Sequence, residues 1–256
     1  MSMGENEAVV SKTRNCGSLI GASLVCLCLL GVSSCIYTAW TRAQDRVRRH
    51  ECKSKLNAIG LALHNYHDRF GVFPPAVMLD GEGNAVHSWR ALILPFLEEQ
   101  AMLEKSSSYD FNVAWDSEAN RPATDTMPSG DRGLFRCWKD PALEISHTSF
   151  VVITGKGTVW SVDEATSFKD ISRPDDTVVA IEIAETGIPW AEPRDLAIDA
   201  DFSAIVPSHG RYDDDPTLNV LMANGAVRGV LLSRFKSPEF RTYFLKKMPQ
   251  ETPPLE

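Results

Sequence analysis

The sequence predicts an α+β fold: one long N-terminal helix packed on an antiparallel β-sheet, with a short C-terminal helix. Three observations point to it. Residues 17–40 form a run of 24 positions with no charge and no proline. An apolar stripe at helical spacing follows, from Cys52 to Phe70. Short β-type runs and an Asn-Gly turn then occupy the second half of the chain.

The first run reads GSLIGASLVCLCLLGVSSCIYTAW. At about 1.5 Å per residue, a helix of that length covers roughly 36 Å, enough for a hydrocarbon core of about 30 Å. A transmembrane anchor at 17–40 is therefore expected, with the lipid bilayer as partner. Lys12, Arg14 and the apolar run also satisfy part of a signal-peptide pattern. Val32-Ser33-Ser34-Cys35 is similar to a lipobox, which would make Cys35 a lipidated terminus. The length of the run and its passage into a helical stripe favour an uncleaved anchor. The expected organisation is an N-terminal segment 1–16, the anchor 17–40, a body 41–248 and a loose tail 249–256.

Charge divides along the chain. Of 256 residues, 43% are hydrophobic and 23% charged, which are globular values, and the net charge is −8. Through Lys55 there are 8 Lys+Arg against 4 Asp+Glu, and from Leu56 onward 18 against 30. A basic collar beside an apolar helix suits anionic lipid headgroups. An acidic body argues against nucleic acid as a partner. The collar holds 6 Lys+Arg between Thr41 and Lys55, against 2 before the anchor. Taken alone, that bias orients the body towards the cytoplasm.

Cys52, Leu56, Ile59, Leu63, Tyr66 and Phe70 recur at steps of four and three, one stripe along a helix. Gly71 then Phe73-Pro74-Pro75 ends it. Residues 80–84 read as a turn. Ser88 suits an N-cap for a helix from Trp89, with Pro95 kinking or dividing that helix before residues 96–100. The polar stretch 106–133 reads as irregular, with one short helical turn. Residues 149–153 and 178–183 are β-type runs. Residues 218–222 and 226–230 flank Asn224-Gly225 as a hairpin. Pro238 opens a last helix reaching about Met248.

Six cysteines fall into two groups. Cys16, Cys26, Cys28 and Cys35 lie in or beside the apolar run. Cys52 and Cys137 belong to the body, as a disulfide or as two buried thiols. His64, His67 and Asp68 lie close together but lack a metal-ligand spacing. Asp213-Asp214-Asp215 lacks the ordered spacing of a calcium loop. Glu182, Glu185, Trp190, Glu192, Arg194 and Asp195 cluster after a β-type run. They read either as a pocket for a sugar or cation or as a salt-bridged turn over Trp190. No nucleophile elbow, phosphate loop or dinucleotide fingerprint is present. No catalytic residue, metal or cofactor is expected.

The stretch Cys52-Lys53-Ser54-Lys55-Leu56-Asn57-Ala58-Ile59-Gly60-Leu61-Ala62-Leu63-His64-Asn65-Tyr66-His67-Asp68, followed by Gly71 and Phe73-Pro74-Pro75, carries a resemblance. So do Ser88-Trp89-Arg90-Ala91-Leu92-Ile93-Leu94-Pro95-Phe96-Leu97-Glu98, the Cys137 region to Asp140-Pro141, residues 148–158, residues 182–196 and His209. The chain resembles the bacterial family of domain of unknown function 1559, whose members begin with a type IV pilin-like helix. The resemblance implies a pilin-like protein with a single-pass anchor in the bacterial cell membrane, an extracytoplasmic body and no assigned reaction. It implies Cys52 and Cys137 as a disulfide pair. It also implies the outward orientation that the charge bias opposes.

The expected function is that of a non-enzymatic structural or interaction protein, with other cell-envelope proteins as partners. The family's solute-binding label supplies the alternative of a solute-binding module, using Glu182, Glu185, Trp190, Glu192 and Arg194. Three departures stand out, one being Arg173-Pro174-Asp175-Asp176 where relatives carry an Asp-Gly-Thr-Ser-Asn-like turn. Gly17-Ser18-Leu19-Ile20 lacks the family's prepilin cleavage motif, so processing and fibre assembly are not expected. His209 is followed by 14 residues and then Asn224-Gly225, where relatives carry a shorter spacer and Asp-Gly.

Overall fold

A computed structural model describes residues 6–97, 108–125, 133–137, 146–209 and 216–255, with side chains from residue 29 onward except 45 and 48. The chain divides into two compact units, Met1–Val47 and Arg48–Glu256. The first helix, α1, spans Asn6–Phe70. The expected anchor at 17–40 lies on it. Among the described residues no helix is long and apolar enough to cross a membrane. The side chains of 17–28, half of the expected span, lie outside the described residues.

Within the second unit α1 is the spine. Cys52, Leu56, Ile59 and Leu63 are fully buried, as the four-and-three spacing requires. The stripe then fades: Tyr66 is half-buried and Phe70 exposed. Gly71 closes the helix at φ 77°, a conformation glycine adopts without Cβ strain, and its N–H donates to His67 O at 2.7 Å. His64 Nε2 meets Ala223 O at 2.9 Å, and His67 Nε2 accepts from Phe168 N at 3.1 Å. These two histidines dock the spine onto separate loops.

Strands β1 (Val77–Leu79) and β2 (Ala85–Ser88) form a hairpin. The Asp80 carboxylate accepts from the N–H groups of Glu82 and Asn84 and so shapes its turn. Ser88 Oγ accepts from Ala91 N, capping α2 (Trp89–Leu92), and Pro95 sits in a separate 3-10 turn, Leu94–Phe96. The one helical turn expected within 106–133 is α3, Arg121–Thr124.

The remaining strands are β3 (Phe150–Val151), β4 (Ile153–Thr154), β5 (Val178–Glu182), β6 (Leu196–Ala197), β7 (Thr217–Met222) and β8 (Val227–Leu231). The main sheet has the order β3-β5-β7-β8 and is antiparallel throughout. A short parallel pair, β4 with β6, stands apart from it. The β7–β8 hairpin turns at Asn224-Gly225, with Gly225 at φ 88°.

Alternation along the strands gives the sheet two apolar faces. Phe150, Ala180 and Leu221 join Leu56, Ile59, Trp89 and Trp190 in one core. Val151, Ile181, Val220 and Met222 join Phe235, Phe240 and Phe244 in the other. Each fully buried large side chain of this kind contributes roughly 1.5–3 kcal/mol, so the C-terminal segment is a structural layer. That segment differs from the expected last helix. It holds a short helix, α4 (Leu232–Phe235), and a 3-10 helix, Pro238–Phe244. Leu245 is extended and bridges to Thr158, which ends helical winding before Met248.

The tail, expected to be loose, is docked up to Leu255. Leu255 is buried, and its N–H donates to Asp176 Oδ1 at 2.8 Å. Tyr243 OH donates to Pro253 O at 2.9 Å, and Arg228 donates to Leu255 O.

Candidate functional site

The face of the sheet that meets α1 carries two buried polar side chains. Glu182 ends β5 and Asn219 lies on the adjacent β7, and they are 1% and 5% exposed. A buried carboxylate is costly unless its oxygens find partners. Asn219 Nδ2 donates to Glu182 Oε2 at 2.6 Å. Glu182 Oε1 faces His209 Nε2 at 3.0 Å. The bridge between Ala184 and Val206 brings the 206–209 segment beside the end of β5 and so delivers His209.

Two sulfurs complete the cluster. Cys52 comes from α1 and Cys137 from the 133–137 segment, and they form a disulfide with Cα atoms 5.7 Å apart. Cys137 is held by its own N–H, which donates to Ser149 Oγ at 2.9 Å. Its Sγ lies 3.2 Å from His209 Nε2. One donor atom from each of Cys52, Cys137, Glu182 and His209 falls within 4.8 Å of the others, and all four residues are buried. Lys55, one turn along α1 from Cys52, donates to Arg136 O at 2.9 Å. Burial lowers the Lys55 ammonium below its ordinary value, while Glu51 and Glu182 pull it back up.

The chemistry open to this arrangement follows from its geometry. Sulfur and carboxylate both address Nε2 of His209, whereas a nucleophile–base–acid relay sets them on opposite ring nitrogens. Nδ1 has no hydrogen-bond partner among the described residues. The cluster is closed to solvent and rich in soft and hard metal donors.

The five residues expected to form a pocket fall in separate environments. Glu182 belongs to the buried cluster. Glu185 is exposed and takes φ 56° at the turn after β5. Trp190 is buried and stacks on Phe135, with ring centres 5.7 Å apart and planes 10° apart. Glu192 and Arg194 pair at the surface at 2.7 Å, and this hydrogen bond raises the Arg194 guanidinium. Asp213-Asp214-Asp215 lies outside the described residues.

A buried ion pair that the sequence did not signal lies beside Trp89. Arg90 Nη2 donates to Asp195 Oδ1 at 2.5 Å, with both side chains essentially unexposed. Val152 N and Trp89 Nε1 donate to the same carboxylate at 2.9 and 3.1 Å. Burial pushes Asp195 up to about 6, against the pull of Arg90 and of these donors. The pair locks α2 to β3 and β4.

The convergence of Cys52, Cys137, Glu182 and His209 was not legible as a site. No local spacing links them; the implied Cys52–Cys137 pairing and the family position of His209 hinted at parts of it. A separate open cleft of about 370 Å3 lies between residues 72–79 and 159–166 and is lined by Phe73, Pro74, Trp160, Val162 and Glu164 among others.

A family model described as a protein of unknown function (DUF1559), with the short name SBP_bac_10, matches residues 41–195. No curated protein and no solved structure matches the chain.

Proposed function

The chain belongs to the DUF1559 family of proteins of unknown function, and from that premise we propose that it is an anchored, pilin-like extracytoplasmic protein that acts by protein–protein contact. One observation carries the reading: the Cys52–Cys137 disulfide fastens α1 to the body. Disulfides persist in oxidising compartments and are rare in the cytosol. The uncharged run at 17–40 supports attachment of that helix to the bilayer. In this reading the helix holds the body at the membrane and the body presents its surface to other envelope proteins.

The experiment is thiol alkylation of the chain in acid-quenched cells, followed by mass analysis of the peptides holding Cys52 and Cys137. The proposal expects both to resist alkylation until a reductant is added. Alkylation of both without reductant removes its main support.

The solute-binding alternative draws on the family's short name and on the cleft beside Phe73 and Trp160. The five residues 182, 185, 190, 192 and 194 have partners of their own, so the cleft is the better place for a solute. Thermal-shift screening of the purified chain against sugars and calcium tests it. A shift lost in Trp160→Ala supports the cleft, and no shift with any solute removes this alternative.

A further inference from the structure

We propose that the dithiol form of this chain holds one zinc ion between Cys52, Cys137, His209 and Glu182. The four residues come from α1, the 133–137 segment, the loop after β6 and the end of β5, yet their donor atoms lie within 4.8 Å of one another. Zinc takes sulfur at about 2.3 Å and nitrogen or oxygen at about 2.0–2.2 Å, so tetrahedral ligands stand roughly 3.3–3.8 Å apart. His209 Nε2 is 3.2 Å from Cys137 Sγ and 3.0 Å from Glu182 Oε1. Those two edges need to widen by only a few tenths of an ångström. The two sulfurs must also part once their bond is reduced, and the remaining edges, which reach up to 4.8 Å, must close by up to about 1 Å.

A second observation is independent of the sulfurs. Glu182 is fully buried, and its Oε1 makes no hydrogen bond among the described residues although His209 Nε2, another of the four donors, stands 3.0 Å away. Asn219 holds the other oxygen, Oε2, at 2.6 Å. That is the arrangement of a ligating carboxylate: one oxygen fixed by an outer amide, the other turned inward. Two thiolates and a carboxylate around a divalent ion leave one negative charge, and the Lys55 ammonium, paired with Glu51 at 3.5 Å, also feels Glu182. With four protein donors and no solvent-facing position, the ion is structural.

In the oxidised chain the sulfurs bond each other and neither is a thiolate. A dithiol reductant supplies two electrons and two protons, its own sulfurs joining as a disulfide, and leaves Cys52 and Cys137 as thiols. Zinc then displaces the two thiol protons, which pass to solvent. The ion replaces the disulfide as the link between α1 and the body. This inference does not rest on the proposed location. Alkylation in cells tests which form is present there, whereas cobalt loading of the purified chain tests whether the reduced form takes metal.

The test uses the full chain in detergent, with Cys16, Cys26, Cys28 and Cys35 replaced by serine so that only the body's thiols remain. The chain is reduced while unfolded, freed of reductant without oxygen, and refolded with cobalt as a spectroscopic stand-in. One cobalt per reduced chain is expected, with thiolate-to-cobalt charge-transfer absorption that zinc abolishes. The disulfide form is expected to show none. Glu182→Gln and His209→Ala are each expected to weaken zinc at least tenfold in competition with a chromophoric chelator. If His209→Ala does not fold in its disulfide form, the near-isosteric Glu182→Gln decides. Absence of the absorption in the reduced parent, equal binding by the disulfide form, or unchanged affinity in Glu182→Gln overturns the proposal.

Discussion

Cys52 and Cys137 stand 85 residues apart in sequence and 5.7 Å apart at Cα, joined as a disulfide that ties the spine helix to the 133–137 segment. Both are fully buried. The bond therefore constrains a loop that includes the β1–β2 hairpin, α2 and α3.

Removing it is expected to be costly. For a loop of this length the chain-entropy argument gives about 4–5 kcal/mol, and loss of a native disulfide typically costs about 2–5 kcal/mol. Cys52→Ser/Cys137→Ser should lower the denaturation midpoint by a corresponding amount relative to the oxidised parent. Equal midpoints for the two would show that the bond adds nothing.

Arg90→Met is expected to destabilise at neutral pH by about 3–5 kcal/mol, because it leaves the Asp195 carboxylate buried without its cation. The pH dependence has a definite sign. The folded Asp195 pKa of about 6 lies above its unfolded value of about 3.9. Its contribution is thus fully present below about pH 4 and is lost as pH rises through about 6. Without Arg90 the folded pKa moves higher still. Denaturation of parent and variant from pH 4 to 8 should show the gap between them widening with pH, and a gap that narrows would contradict this account.

Gly60 on the spine faces Leu221 of the sheet. A Cβ there would stand 2.9 Å from Leu221 Cδ1, in a core where Leu221 is itself buried. Gly60→Val should lose about 1–3 kcal/mol, measured by thermal or chemical unfolding. No change would mean that Leu221 has room to move.

Trp190 separates a core role from a pocket role. Trp190→Ala removes a ring packed against Phe135 and Tyr109 and should cost about 3–5 kcal/mol. If instead stability holds and affinity for a solute falls, Trp190 belongs to a binding pocket.

What the sequence made legible is what local chemistry specifies. The spacing from Cys52 to Leu63 marked the buried helix face, Ser88 marked a helix start, and Asn224-Gly225 marked the hairpin. The buried cluster was not legible, because positions 52, 137, 182 and 209 meet only through the fold. Arg90 and Asp195 pair across 105 residues, and neither carries a local sign of it. The docked tail escaped for the same reason, since Leu255 reaches back 79 residues to Asp176. Trp190 sits in a stretch whose carboxylates suggested a pocket, but its environment is set by Phe135, far away in sequence.

The most direct test of the displayed-body account is the side of the membrane on which the body lies. Val162 is exposed, so Val162→Cys offers a label site. Spheroplasts carrying this variant, with the parent chain as background, are treated with a membrane-impermeant maleimide before and after lysis. The account predicts labelling at residue 162 in intact spheroplasts. Labelling that appears only after lysis would place the body in the cytoplasm and contradict it.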